Sequence, residues 1–241
     1  MNFVFLAAGK GTRIFKKIKT NKCLIKLGKK TIIERLIENI PKKYRSNITI
    51  ATGFNHKKIF DVTKKYKVNF LQNREYKTTE MLHTLYLALK KIDDDILFSY
   101  SDIIYDTSII KKIIKDKTKN ISVPINLNWK KVWIHRGTDI IKDAETLKYE
   151  NKNLLEIGKK IKEIKKVQGQ FMGLLFIPQN QRQLIINILE KENFKKKHLT
   201  FFINHLLKKK ISVSIIKYIN HWYEFDDYRD LLNYKTFKYE I

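Results

Sequence analysis

The chain is poor in the residues that staple or break a fold. Of its 241 residues, one is cysteine, three are proline and eight are glycine. A single thiol, Cys23, excludes an internal disulfide and suits a reducing compartment. So little proline and glycine argues against flexible linkers and collagen-like segments. Acids are scarce beside bases: 24 Asp and Glu stand against 50 Lys and Arg, a formal charge of +26. Long apolar runs are also missing. None approaches the roughly 18 residues of a membrane helix. The apolar start, Phe3 to Ala8, is too short for a signal peptide's apolar region and lacks a basic stretch before it. Together these absences predict a cytoplasmic protein that does not enter a membrane.

What is present is enough apolar residue, 43% of the chain, for a sizeable core. The positive charge has two readings. It can mark anionic partners: nucleic acid, a membrane surface or phosphorylated small molecules. It can equally be lysine scattered over solvated faces, in a chain crowded with Lys, Ile and Asn. The lysine runs at 159–166 and 195–197 read as exposed faces or loops.

Phe3 to Ala8 reads as a buried strand ended by Gly9, followed by a loop rich in Gly and Lys. Thr31 lies three residues before Glu34, the spacing of a capping box, so TIIERLIENI reads as a helix. NITIAT (47–52) and VNFLQN (68–73) read as strands, with HKKIFDVTKKY a helix between them. TTEMLHTLYLALKKI has helical apolar spacing, with Thr78 or Thr79 as cap, and DDILFSYSD is an apolar strand ending at Asp102. TSIIKKIIKD reads as a helix. ISVPIN and KVWIHRG read as strands, the first near a sheet edge because of Pro124. After a polar, lysine-rich stretch come the strand MGLLFI, two helices (QNQRQLIINILEKENF and HLTFFINHLLKKK), the strand SVSIIKYI and a closing helix, DDYRDLLNYKTF. Regular alternation to about Lys115 predicts an α/β fold: a mostly parallel sheet with helices on both faces, mixed in its later part. No linker divides the chain, so residues 1–241 read as one domain.

The stretch LAAGKGTR (6–13) places Gly9 and Gly11 at the carboxyl end of the first strand, where open α/β sheets bind ligands. Glycines let backbone N–H groups approach a phosphate, and Lys10, Arg13 and Lys22 add charge. The string is neither a P-loop nor a dinucleotide fingerprint. The six histidines show no metal-ligand spacing. Cys23, next to Lys22, reads as a small buried apolar residue rather than a reactive thiolate.

LAAGKGTR followed by NKCLIKLGKKTIIER resembles the start of the sugar-phosphate nucleotidyltransferase superfamily, with its L-A-A-G-x-G-[ST]-R loop, Pro-Lys-x-L segment and G-K-P turn. Lys22 matches the family lysine; Asn21 and Lys30 stand where proline is usual. NREYKTTEMLHTLYLA resembles the N-x-x-Y-x-x-x-N-x-x-x-S-L segment of the phosphocholine cytidylyltransferase branch, with Glu80 where Asn is usual. SYSDIIYD matches an acidic strand end. VWIHRG looks like an acceptor-side strand, QGQFMGLLFI resembles a segment of phosphonate-type cytidylyltransferases, and YEFDDYRDL matches the closing motif. The resemblance spans nearly the whole chain. It implies a Rossmann-like (GT-A-like) fold with a nucleotide-binding half, about 1–115, and an acceptor-binding half, about 116–241.

The implied reaction is Mg²⁺-dependent transfer of CMP from CTP to a small phosphorylated or phosphonate acceptor, with release of pyrophosphate. Asp102 and Asp226 would hold Mg²⁺, which favours carboxylate and phosphate oxygens; Glu224 or Asp227 is an alternative second ligand. Lys22, Arg13 and Asp102 are the implied catalytic set, with Lys22 on the reacting phosphate and Arg13 on the leaving pyrophosphate. Leu6, Ala7, Ala8, Gly9, Gly11 and Thr12 form the nucleotide loop, and Gln72, Asn73, Thr79 and Glu80 the base side, where Gln72 and Asn73 either read a pyrimidine edge or cap a strand end. Trp129, Trp133 and Tyr223, with neighbouring Trp222, are candidate acceptor-site aromatics. Arg136 could hold an acceptor anion and Glu224 an amine. Phosphocholine, 2-aminoethylphosphonate and glutamine phosphate all fit such a zwitterionic site. The partners implied are CTP and that acceptor, not nucleic acid or membrane, and the oligomeric state, a homodimer included, stays open. Two rivals remain: a sugar-1-phosphate uridylyl- or guanylyltransferase, and a basic nucleic-acid-binding protein. The last requires exposed aromatics on a basic face and no paired aspartates at the glycine loop.

Overall fold

The computed structural model describes residues 1–116, 119–234 and 236. Strand β1 (Asn2–Ala7) leads through the glycine loop into α1 (Thr12–Ile18), a single turn at Lys22–Leu24, a small hairpin of β2 (Lys26–Leu27) and β3 (Lys30–Thr31), and α2 (Ile32–Asn39). There follow β4 (Ile48–Thr52), α3 (His56–Thr63), β5 (Asn69–Gln72), α4 (Met81–Lys91), β6 (Ile96–Tyr100), β7 (Ile103–Tyr105) and α5 (Thr107–Asp116). The second half runs β8 (Ile121–Asn126), α6 (Trp129–Arg136), α7 (Ile140–Asp143), β9 (Glu145–Glu150), β10 (Asn153–Lys160), β11 (Gln170–Phe171), β12 (Leu174–Ile177), α8 (Gln179–Lys191), α9 (Leu199–Lys208), β13 (Val213–Tyr218), β14 (Trp222–Glu224) and α10 (Tyr228–Tyr234).

The main sheet has the order β5-β4-β1-β6-β12-β8-β13-β10-β9, with β11 beside β8. β5, β4, β1 and β6 are mutually parallel, as are β8 and β13; β12 and β10 run against their neighbours. The period of two in β1 sorts its side chains. Phe3, Phe5 and Ala7 enter the core under α2 and α5, while Val4 enters the core with α4, α8 and α9. Helix α2 begins as the spacing requires: the Thr31 hydroxyl accepts from Glu34 N at 3.4 Å and the Glu34 carboxylate accepts from Thr31 N at 2.8 Å. Among the described residues no helix is long and apolar enough to cross a membrane.

Five expectations need correction. KVWIHRG is helix α6, not strand: Trp129, Val132, Trp133 and Arg136 are its buried residues, a helical stripe that the local alternation of VWIHR disguises. Pro124 lies mid-sheet rather than near an edge. Its carbonyl accepts from Met172 N at 3.2 Å where β11 and β12 part, so its lack of an N–H coincides with a gap in the ladder. Gly173, at φ +75°, turns that gap; a Cβ there would come 2.8 Å from Tyr100. The residue that starts α4 is Glu80, while the Thr78 and Thr79 hydroxyls donate to Glu75 O. The loop after Gly9 contains helix α1, and the polar stretch at 145–160 is the β9–β10 hairpin, whose pairing shifts register twice. The closing helix is described to Tyr234; residues 235 and 237 of that expectation lie outside the described residues.

Candidate active site

The carboxyl ends of β1 and β6 open into a cleft of about 840 Å³. Gly11 starts α1 at φ +63°. A Cβ there would sit 2.8 Å from Lys22 Cγ, so this glycine both turns the loop and lets the Lys22 side chain cross it. Three loops are stitched together around it. Phe54 N donates to Ala8 O at 3.0 Å, Asn21 Nδ2 donates to Phe54 O at 3.0 Å, and Asn55 Nδ2 donates to Asn21 Oδ1 at 2.8 Å. Asn21 keeps a proline-like φ of −65° and adds two side-chain bonds that a proline lacks.

Lys22 Nζ ends 2.8 Å from Asp102 Oδ2 and 2.8 Å from Asp226 Oδ1. Arg13 Nη2 reaches Asp226 Oδ1 at 3.1 Å from the exposed rim. Asp102 follows β6; Asp226 and Glu224 are delivered by the β7–β14 ribbon, in which Glu224 pairs with Ile103 and Phe225 N donates to Asp102 O at 2.9 Å. One carboxylate oxygen from each of Asp102, Glu224 and Asp226 lies within 4.8 Å of the others. Such a set of hard oxygens fits a divalent cation. Asp227, the other candidate, instead accepts from Arg229 N at 2.7 Å and Asp230 N at 3.2 Å.

The charges here act on one another at close range. Burial works against the Lys22 ammonium, but Asp102 and Asp226 overcome it and raise its pKa. Burial likewise opposes the Asp226 carboxylate, and Lys22 beside it pulls it below the usual range. Burial pushes Glu224 well up, and Asp226 adds to that. Burial pushes the Cys23 thiol up to about 12, which makes it a core residue and not a nucleophile.

Behind the acids stands Arg136. It is 1% exposed and forks onto Asp230, Nε to Oδ1 at 2.9 Å and Nη2 to Oδ2 at 3.2 Å. Its Nη1 lies 3.3 Å from Asp143 and 3.9 Å from Glu224. Asp230 in turn accepts from Asp226 N at 2.7 Å and Asp227 N at 2.9 Å, which fixes the turn carrying Asp226. Sequence reasoning missed Asp230. The signal was present, because Asp230 is the last acid of the closing motif YEFDDYRDL.

The glycine loop, Thr12, Arg13, Lys22, Asp102 and Asp226 line one cleft, as do Leu6, Ala7, Ala8, Asn73, Thr79 and Glu80. Gln72 does not; it is exposed at the end of the edge strand β5. Of the candidate acceptor residues, only Trp133 and Glu224 reach the cleft. Trp129 and Tyr223 are at most 1% exposed and belong to the core, where Trp133 stacks on Trp222 and meets Trp129 edge-on. Arg136 is committed to carboxylates and cannot face an acceptor anion. The wall beyond β6 gains Asp143, Glu145, Gln170 and Phe171, which composition alone did not single out. Lys10 is drawn away from the acids, its ammonium 4.8 Å from the Phe15 ring centre and 5.4 Å from that of Phe54.

A glycine loop facing paired carboxylates and a bridging lysine is the site that nucleotidyl transfer requires, and residues 3–160 match the MobA-like NTP transferase domain. The chain belongs to this family. It is similar to enzymes of several acceptors. It is 29% identical to the CTP:phosphoglutamine cytidylyltransferase of Campylobacter jejuni, over 96% of this chain and 98% of that one. In fold it resembles a Bacillus anthracis protein described as a glucose-1-phosphate thymidylyltransferase, with a TM-score of 0.77 and 18% identity, covering 98% of this chain and 94% of that one. It also resembles the CTP:phosphocholine cytidylyltransferase of Streptococcus pneumoniae, with a TM-score of 0.72 and 18% identity, covering 98% and 97%. At such identities these two likenesses speak to fold alone.

Proposed function

We propose that this chain transfers CMP from CTP to a small zwitterionic phosphate or phosphonate, with glutamine phosphate and 2-aminoethylphosphonate ahead of phosphocholine. The observation that carries the reaction type is the convergence of Lys22 on Asp102 and Asp226 beside the glycine loop. The choice of CTP, and of an amino-acid phosphate as first candidate, is supported by full-length similarity to the phosphoglutamine enzyme.

An acceptor oxygen attacks the α-phosphorus, the bond from that phosphorus to the bridging oxygen breaks, and pyrophosphate leaves with the electron pair. Two anions must meet, so positive charge and alignment do most of the catalysis. Lys22 offers a buried ammonium to the α-phosphate, and Arg13, on the exposed rim, suits the departing pyrophosphate. The backbone of Ala8 to Gly11 cradles the triphosphate. Mg²⁺ held by Asp102 and Asp226, with Glu224 at hand, would offset the charge that builds on the phosphate oxygens. Across the cleft, Asp143, Glu145 and Glu224 beside Trp133 suit an ammonium group on the acceptor.

The test is pyrophosphate release with CTP and Mg²⁺ against glutamine phosphate, 2-aminoethylphosphonate, phosphocholine and glucose-1-phosphate. The expected result is acceptor-dependent release with a zwitterion, abolished by a chelator and by Asp102→Ala. Release preferring glucose-1-phosphate with UTP or GTP would assign the sugar-nucleotide reading instead. No release with any nucleotide and acceptor would remove the reading.

A further inference from the structure

Base recognition falls on the β4–β5 side of the glycine loop, because the acid cluster and the acceptor wall occupy the β6 side. The polar side chains lining the cleft there are Asn73, Tyr76, Lys77, Thr79, Glu80 and Thr84. Both donors of the Asn73 amide are committed. Its Nδ2 donates to Thr79 Oγ1 at 3.1 Å and Thr84 Oγ1 at 3.0 Å, and its Oδ1 accepts from Glu75 N at 2.9 Å. The Thr79 hydroxyl donates to Glu75 O at 2.8 Å. Asn73 therefore builds the loop, its donors are spent, and its one engaged oxygen is turned to Glu75 N. Lys77 can only donate.

Glu80 differs from all of these. Its backbone is pinned from both sides: its N–H donates to Lys195 O at 2.6 Å, and its carbonyl accepts from His83 N at 3.1 Å. Its carboxylate makes no bond to the helix it precedes, and among the described residues it has no ion-pair partner. An ionised carboxylate accepts and never donates, unlike the hydroxyls around it. Cytosine presents an exocyclic amine where uracil and thymine present a carbonyl oxygen.

We infer that Glu80 selects the base, accepting from the cytosine amine and repelling the O4 oxygen of uracil or thymine. This rests on the cytidylyl-transfer reading above. Geometry favours a group fixed at the backbone and unengaged at the carboxylate: its Cα is held in place, and among the described residues no neighbour competes for its oxygens.

The test is kcat/KM for CTP and for UTP, with one acceptor, in the native chain and in Glu80→Gln. An amide donates as well as accepts, so the CTP preference should fall roughly tenfold, the lower end for a base-edge contact because Glu80 sits on the exposed rim. Glu80→Ala, which removes the acceptor, is the second variant, and the ratio of CTP to UTP dissociation constants by calorimetry reads the same selection without turnover. Ratios within about twofold of the native ones in both variants and by both readouts would overturn the role of Glu80 and leave cytidylyl transfer standing. A native chain that turns over UTP in preference to CTP would overturn the transfer reading and this inference together.

Discussion

On the cleft side of the acid cluster, Lys22 bridges Asp102 and Asp226 with its side chain 13% exposed and theirs 20%; on the core side, Arg136 forks onto Asp230 with both at 1%. The two regions have the same ingredients, a cation between carboxylates. They differ in access to water and to ligand. At the front, either partner can exchange a protein contact for a phosphate or a metal. At the back, the contacts have no substitute, because a buried charge without its partner carries an uncompensated desolvation cost. The front is therefore poised for chemistry and the back holds it in place. Two residues join them: Asp230 binds Arg136 and the backbone that carries Asp226, and Arg136 itself lies 3.9 Å from Glu224 and 3.8 Å from Asp226.

Substitutions can break this division. The largest effect belongs to the front. Lys22→Met should lower kcat by about a thousandfold, the scale of losing one preorganised charge donor, while circular dichroism keeps the native signature. A variant retaining a tenth of the native rate would remove Lys22 from the chemistry. Next comes the back. Arg136→Met strands Asp230 and should cost roughly 3–5 kcal/mol, or a fall of about 10 °C in Tm by calorimetry, well beyond the fall in Lys22→Met. Equal Tm values for the two variants would erase the distinction between front and back. The smallest effect lies away from both, at the α2 cap. Burial works against the Glu34 carboxylate, but Lys65 and Thr31 hold its pKa at about 2 against an ordinary 4.5. A depressed folded-state value means that its stabilisation is present above pH 4.5 and is lost as pH falls toward 2. Glu34→Gln should thus cost about 1 kcal/mol at neutral pH, with the difference from the native chain closing in acid denaturation titrations. A gap that stays constant across that window would refute the assignment.

The legible parts of the molecule were those set by neighbours in sequence. Thr31 and Glu34 announce a helix start because the bonds that cap it span three residues. LAAGKGTR announces a phosphate loop because the strand, the turn and the charges adjoin. Asp102 and Asp226 could be paired only through the family resemblance, and the structure does bring them together on Lys22. What misled was tertiary. VWIHR alternates locally yet buries a helical stripe that begins at Trp129. Asn73 had two readings, base reader or strand-end cap, and residues six and eleven positions away take its donors. Trp129, Tyr223 and Arg136 have the chemistry of an acceptor cage, and packing places them behind it. The sequence carries no mark of which face of α6 the core will claim.

The ribbon of β7 and β14 has a consequence for how the protein comes into being. The glycine loop, Lys22 and Asp102 precede the ribbon's second strand in the chain, and β1 pairs with β4 and β6 without it. Glu224 and Asp226 reach Asp102 only when Trp222, Tyr223 and Glu224 zip against Tyr105, Ile104 and Ile103. Until then Asp102 and Lys22 face each other without the carboxylates that complete the set. Completion of the acid cluster is thus a folding step of its own, a three-residue closure between segments far apart in the chain.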